Sequence, residues 1–283
     1  MAVTRSLKFS QVDVFAEEMH FGNPVAVVHD ADGVSDEAMA AFARWTNLSE
    51  TTFLLSPTTP EADYRLRIFT PGGELPFAGH PTLGSCHAWL AASDEGADRD
   101  RIVQECGVGL VEVRRMDGAL AFAAPERLRT GPLEAELLDQ ICTACGISRE
   151  DIIDHQWVDN GPGWCAVRLA SADAVLAVKP NMAALGKTCL GLVGPYGNGG
   201  VADFEVRAFV PDMGVPEDPV TGSLNASIGQ WLMEAGVAAD RYVASQGTAI
   251  GRRGRIRLMR EENQLWVAGA TRTSVSGTVE FDV

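Results

Sequence analysis

The sequence predicts an α+β fold built as two similar lobes, and three observations carry that prediction. Residues 64–90 and 204–232 are written on one template, each copy passes from a strand into a helix through a corner rich in Pro, Thr and Gly, and each is followed by short β-branched segments. The first copy reads YRLRIFTPGGELPFAGHPTLGSCHAWL and the second FEVRAFVPDMGVPEDPVTGSLNASIGQWL, so Phe69, Pro71 and Pro76 answer Phe209, Pro211 and Pro216 at one constant offset. After a short gap His80-Pro81 faces Asp218-Pro219, and Gly84-Ser85 faces Gly222-Ser223. A repeat of half the chain is too long for a solenoid unit of roughly 20–50 residues. It points to duplication into two lobes, expected at residues 1–128 and 129–283.

Each element follows from its pattern. KFSQVDVF and PVAVVH are short, β-branched and bounded by the turn FGNP, which makes them strands. Residues 35–46 open on a Ser followed by Asp and Glu and put Met39, Phe42 and Ala43 on one face, the signature of a capped amphipathic helix. ETTFLLS and YRLRIF are strands, the second alternating Tyr64, Leu66 and Ile68 on one face. A helix is expected from about Pro81, then the strands RIVQEC, GLVEVRR and ALAFAAP, with Pro125 to Pro132 as the link between lobes. The second lobe restarts with the helix LEAELLDQICTAC, a strand around WCAVRLA and a short helix around ADAVLAV. GLVGPYGNGG, residues 191–200, reads as a flexible Gly-rich loop that lacks the lysine and spacing of a phosphate loop. RYVAS, RGRIRLMR, QLWVAGA and GTVEFDV are the strands that close this lobe, and Gln104 and Gly107 against Gln246 and Gly247 extend the repeat.

Composition narrows the function. A chain of 283 residues accommodates two cores, and 46% apolar with 22% charged residues is the balance of a globular protein. The net charge of −15 repels phosphate backbones and anionic lipid, which argues against nucleic-acid and membrane partners. The first thirty residues hold no apolar run approaching the roughly 20 of a spanning helix. A cytoplasmic protein with reduced thiols is therefore expected from its six scattered cysteines. Cys142 and Cys145 form a lone CxxC inside a helix, a structural pair rather than zinc ligands, and no metal site is expected.

The chemistry is expected at the two corners. Proline in a first helical turn costs nothing, so Pro81 and Pro219 mark helix starts. The free amides of such starts, with the positive end of the helix dipole, suit a small carboxylate, and Gly79, Gly84 and Gly222 let it approach the backbone. One corner taken alone reads more simply as a capped helix behind a tight turn; two matching corners favour the site. His80 on one side and Glu217-Asp218 on the other are the unlike groups that proton transfer needs, while Asp218 also fits a plain N-cap. Glu50, in NLSETTFLL between a helix end and an apolar strand, is a candidate general base whose pKa burial would raise. From position alone, the stronger reading of Glu50 is a solvated carboxylate at a strand edge.

Taken together, QVDVFAEEMHFGNPVAVV, NLSETTFLL, FTPGGELPFAGHPTLG and EDPVTGS resemble the PhzF family of phenazine-biosynthesis-like isomerases, over almost the whole chain. The resemblance implies the diaminopimelate epimerase fold, two lobes each with a curved mixed sheet around a central helix, an active site in the cleft between them, and a homodimer. It assigns the acid/base role to Glu50, matches the GHPT histidine to His80, gives Asp218 and Ser223 polar substrate groups to hold, and has Gly79 and Gly222 supply corner amides. Epimerases of this fold use a facing cysteine pair at the corners; this chain has none there, Cys86 being the nearest. The reaction implied is a proton shift between carbons without a cofactor, of the trans-2,3-dihydro-3-hydroxyanthranilate isomerase type. Two alternatives stand beside it: isomerisation or epimerisation of another small carboxylate, and a non-catalytic small-molecule-binding protein that keeps the cleft.

Overall fold

The computed structural model describes residues 4–93, 99–211 and 216–282. The chain divides into two compact units, Met1–Ala123 with Ala268–Val283, and Ala124–Val267.

The first unit runs β1 (Thr4–Val14), β2 (Asn23–Val28), α1 (Asp36–Thr46), β3 (Glu50–Leu55), β4 (Tyr64–Thr70), β5 (Gly73–Leu75), α2 (Gly79–Ala92), β6 (Arg101–Cys106), β7 (Gly109–Met116) and β8 (Ala119–Ala123). Its pairing series is β1–β2 antiparallel, β2–β3 parallel, β3–β4 and β4–β5 antiparallel, β4–β6 parallel and β6–β7 antiparallel. Helix α2 packs against β1, β2, β3, β4, β6 and β8 and is buried along most of its length, its polar His80, Thr82 and Ser85 included. Gly84 makes that approach possible, since a Cβ there would meet Val25 Cγ1 at 2.3 Å and Val14 Cγ2 at 3.1 Å. This glycine, expected to open the backbone to a ligand, is a helix-to-sheet packing residue instead. On the opposite face of the sheet α1 buries Met39 and Ala43 against Val28, Phe53 and Phe69. With helices on both faces, β2 and β3 are buried along nearly their whole length rather than at alternate residues.

The second unit runs α3 (Ala135–Cys145), β9 (Ile152–Trp157), β10 (Cys165–Leu169), α4 (Ala172–Ala177), α5 (Met182–Leu185), β11 (Leu190–Pro195), β12 (Phe204–Phe209), β13 (Glu217–Asp218), α6 (Gly222–Glu234), β14 (Arg241–Gln246), β15 (Gly254–Glu261) and β16 (Gln264–Gly269). The pairing series recurs strand for strand: β9–β10 antiparallel, β10–β11 parallel, β11–β12 and β12–β13 antiparallel, β12–β14 parallel, β14–β15 antiparallel. Residues 212–215, inside the second corner, lie outside the described residues.

The stretch 191–200 is corrected from loop to strand over its first half. Leu190–Pro195 is β11, buried and paired on both sides. Its glycines mark close approaches: a Cβ on Gly191 would lie 2.7 Å from Leu224 of α6, and one on Gly194 would lie 2.4 Å from the Ser171 carbonyl oxygen. Leu190 and Leu192, on the face opposite Gly191, pack with α3, α4 and α5. Strand β9 had no expectation in the sequence; it is a partly exposed strand that pairs only with β10 among the described residues.

The final strand, β17 (Thr271–Asp282), corrects the second lobe boundary. It pairs antiparallel with β1 from Thr4↔Asp282 to Val14↔Thr271 and buries Phe281 in the α1 cluster, so the end of the chain belongs to the first unit. All six cysteines are free thiols. Among the described residues no helix is long and apolar enough to cross a membrane.

Candidate active site

In the first unit three chain segments converge. Helix α1 ends on Asn47 in the left-handed conformation (φ 54°), which turns the chain toward Glu50, the first residue of β3. Asn is among the few non-glycine residues that adopt it readily. The threonines of SETTF then hold the strand. Thr51 Oγ1 lies 2.8 Å from Thr46 Oγ1, while Thr52 Oγ1 donates to the Ala26 carbonyl (3.1 Å) and lies 2.8 Å from Ser85 Oγ of α2. Val25 of β2 pairs with Glu50, which sets Asn23 and Glu50 near the same end of the sheet.

Helix α2 begins there at Gly79, earlier than expected. Pro81 is its third residue, still in the first turn where a missing N–H is harmless. Its N-cap, Ala78, makes no side-chain cap bond. His80 is 4% exposed, with Nε2 3.2 Å from Glu50 Oε2 and Nδ1 3.4 Å from Asn23 Nδ2. The Nε2–Glu50 approach is a close contact whose angle is not that of a hydrogen bond, which leaves Nε2 buried without one among the described residues. Burial lowers the His80 pKa to about 3, so the imidazole is neutral at pH 7.

In the second unit the corner is organised by Gln246, fully buried at the end of β14. Its Oε1 accepts from Thr221 N (3.0 Å) and Asn225 Nδ2 (2.7 Å); its Nε2 donates to the Asp218 carbonyl (3.0 Å) and to Thr221 Oγ1 (2.9 Å). Thr221 Oγ1 in turn donates to Asp218 Oδ2 at 2.5 Å. Asp218 is thus not the N-cap of α6. Thr221 is, and it makes no side-chain cap bond of its own, because its hydroxyl is given to the aspartate. Gly222 and Ser223 are the first two residues of α6. Ser223 Oγ accepts from Trp164 Nε1 (3.1 Å), and its carbonyl accepts from Asn160 Nδ2 (3.0 Å).

Glu217 leaves the proton-transfer group. Its carboxylate is locked in a buried two-pronged ion pair with Arg207 (2.9 and 2.8 Å), whose third nitrogen donates to the Val175 and Val178 carbonyls. The first unit repeats the device as Arg67–Glu74, with both arginines lying over the phenylalanine two residues on. It ties the corner hairpin to the central strand.

The structure therefore brings Glu50, His80 and Gly79 together in the first unit, and Asp218, Gly222 and Ser223 together in the second. Sequence reasoning missed the residues that hold them: Asn23, Ser49, Asn160, Trp164, Thr221 and Asn225. Uncharged amides and hydroxyls carry no periodic or charge signal; only Gln246 was singled out, through its repeat partner Gln104, which donates to Thr82 of α2. Among the described residues no group of three His, Cys, Asp or Glu side chains is placed to hold a metal ion.

The sequence signature of the phenazine biosynthesis-like protein family, PhzC-PhzF, matches residues 12–279. The chain belongs to this family. A relative named antisense-enhancing sequence 1, from Schizosaccharomyces pombe, is 36% identical over 291 residues, 95% of this chain and 97% of its own. Trans-2,3-dihydro-3-hydroxyanthranilate isomerase from Pseudomonas aeruginosa is 36% identical over 218 residues, 76% of each chain. A solved PhzC/PhzF structure from Clostridium difficile is 26% identical, with a TM-score of 0.78 over 96% of this chain and 99% of that one. The α+β fold that the motifs implied is the fold of the PhzC-PhzF family, and the family is of isomerase type.

Proposed function

We propose that the protein is a cofactor-independent isomerase that moves a proton between two carbons of a small, carboxylate-bearing cyclic substrate, as in the trans-2,3-dihydro-3-hydroxyanthranilate isomerase reaction. The observation that supports this best is the Glu50–His80 pair, a partly exposed carboxylate 3.2 Å from a buried, neutral imidazole at the start of α2, which has no side-chain cap. Glu50 is the acid/base residue. Its carboxylate takes a proton from an activated carbon, the electron pair left behind spreads into the substrate's conjugated system, and the Glu50 carboxylic acid returns the proton to a second carbon. No atom is gained or lost, and no external reductant or oxidant is needed.

His80 stays neutral in this cycle. Its Nε2–H and the amides at Gly79 are donors for the charge that develops on the substrate, a role that neutral dipoles fill without reorganising. Asp218, Gly222 and Ser223 hold polar substrate groups. Because Ser223 Oγ already accepts from Trp164, its own proton is the one it offers to a substrate acceptor. The test is incubation of the wild-type protein in heavy water with small cyclic carboxylates, trans-2,3-dihydro-3-hydroxyanthranilate among them, followed by NMR. Deuterium uptake at carbon supports the reading and names the substrate class. No uptake with any member of the panel counts against it, in favour of a binding protein.

A further inference from the structure

The residue that orients His80 is absent from the corner motifs. Asn23 is 1% exposed at the start of β2 and held from both sides. The Asp13 carboxylate accepts from Phe21 N and Gly22 N at 3.1 Å, and a side chain at Gly22 would strike the Val14 carbonyl oxygen, its Cβ only 2.2 Å away. Pro24 follows and is paired with Asp13 across the ladder. The backbone under Asn23 therefore has one position. Its amide is turned by Ser49, whose Oγ donates to Asn23 Oδ1 at 3.2 Å, which leaves the NH₂ end facing His80 Nδ1 at 3.4 Å.

We propose that Asn23, held by Ser49, is the positioning residue that sets His80 in the tautomer carrying its proton on Nε2, the nitrogen that faces Glu50. This rests on the acid/base reading of Glu50 given above. A donor at Nδ1 requires a lone pair there, so a neutral ring must carry its hydrogen on Nε2. The carboxylate 3.2 Å from Nε2 asks for the same tautomer, since an N–H is favoured beside a negative charge and a lone pair is not. Both ends of the Ser49–Asn23–His80–Glu50 chain agree. The consequence is chemical: His80 turns an N–H rather than a lone pair toward Glu50 and the substrate, an arrangement that favours the carboxylate able to accept a carbon-bound proton. The opposite tautomer would present a lone pair and draw a proton onto Glu50 before the substrate arrives.

The test is the histidine nitrogen spectrum of ¹⁵N-labelled protein, with the His80 signals assigned by their loss in His80→Gln. The wild type is expected to show a neutral ring protonated on Nε2. Asn23→Asp is the same size and reverses the polarity, so its His80 is expected to carry a proton on Nδ1. Its kcat should fall about 10- to 100-fold, as for other residues that orient a histidine, with KM changed less. A packing role would tolerate this isosteric change and leave the spectrum unaltered. An Nδ1-protonated His80 in the wild type, or an unchanged tautomer and kcat in Asn23→Asp, overturns the proposal. The wild-type spectrum needs no substrate, so it decides the tautomer even if the heavy-water experiment overturns the reaction.

Discussion

Two buried histidines make the protein's stability sensitive to mild acid. Burial lowers the pKa of His80 to about 3 and, chiefly by burial with help from Lys8, that of His29 to about 4. In the unfolded chain both titrate near 6.5. Below that value the unfolded state binds protons that the native state refuses, so stability falls as pH falls. Between pH 6.5 and 5 each histidine is expected to remove about 1–2 kcal/mol. Urea unfolding at the two pH values checks this, and His80→Gln should flatten part of the slope; equal stability at both would contradict it. Sequence legibility at this scale depended on the kind of residue. Glu50, His80, Asp218 and Ser223 stand in motifs, which made them candidates from the sequence. Asn23 appeared only as a turn residue of FGNP, because an amide's role lies in what it faces. Glu217 was misread as a proton-transfer group because its partner Arg207 lies on a neighbouring strand, and its structural counterpart Glu74 falls out of register with it in the repeat.

At the scale of elements, the same ion pair in two settings separates burial from charge. Arg207 and Glu217 are 6% and 7% exposed, whereas Arg67 and Glu74 are 17% and 42% exposed. Removing one partner of a buried pair strands a charge, so Glu217→Ala is expected to cost about 3–5 kcal/mol. Glu74→Ala, its counterpart in solvent, is expected to cost at most about 1 kcal/mol. Denaturant melts of the two variants measure the difference, and equal losses would refute the structural role given to Glu217. Helices and strands with clear periodicity were legible, among them α1, β4 and the strands after each corner. β11 was not, because its glycines look like a loop until the helices that crowd them, α6 with Leu224 and the Ser171 cap of α4, are in place. Helix starts shifted by a few residues for a similar reason: Thr221, not Asp218, caps α6 because Gln246 gathers the corner from a later strand.

At the scale of the molecule, the duplication read in two corners extends to whole pairing series, β1 to β7 and β9 to β15. The departure from it was not legible. β17 pairs with β1, the far end of the chain, and such long-range closure leaves no mark in local pattern. A chain ending at Ala270 is therefore expected to lose cooperative unfolding of the first unit, with the amide protons of residues 4–8, which lie beyond the β1–β2 pairing, exchanging freely; retained protection there would contradict the assignment. The central claim concerns Glu50, and the heavy-water exchange reaction measures it most directly. Glu50→Gln preserves size and one acceptor oxygen but cannot accept the carbon-bound proton. The account predicts a rate of carbon-bound deuterium uptake about 10²- to 10⁴-fold below wild type, with ligand affinity and circular dichroism retained. Exchange at the wild-type rate in that variant would contradict it.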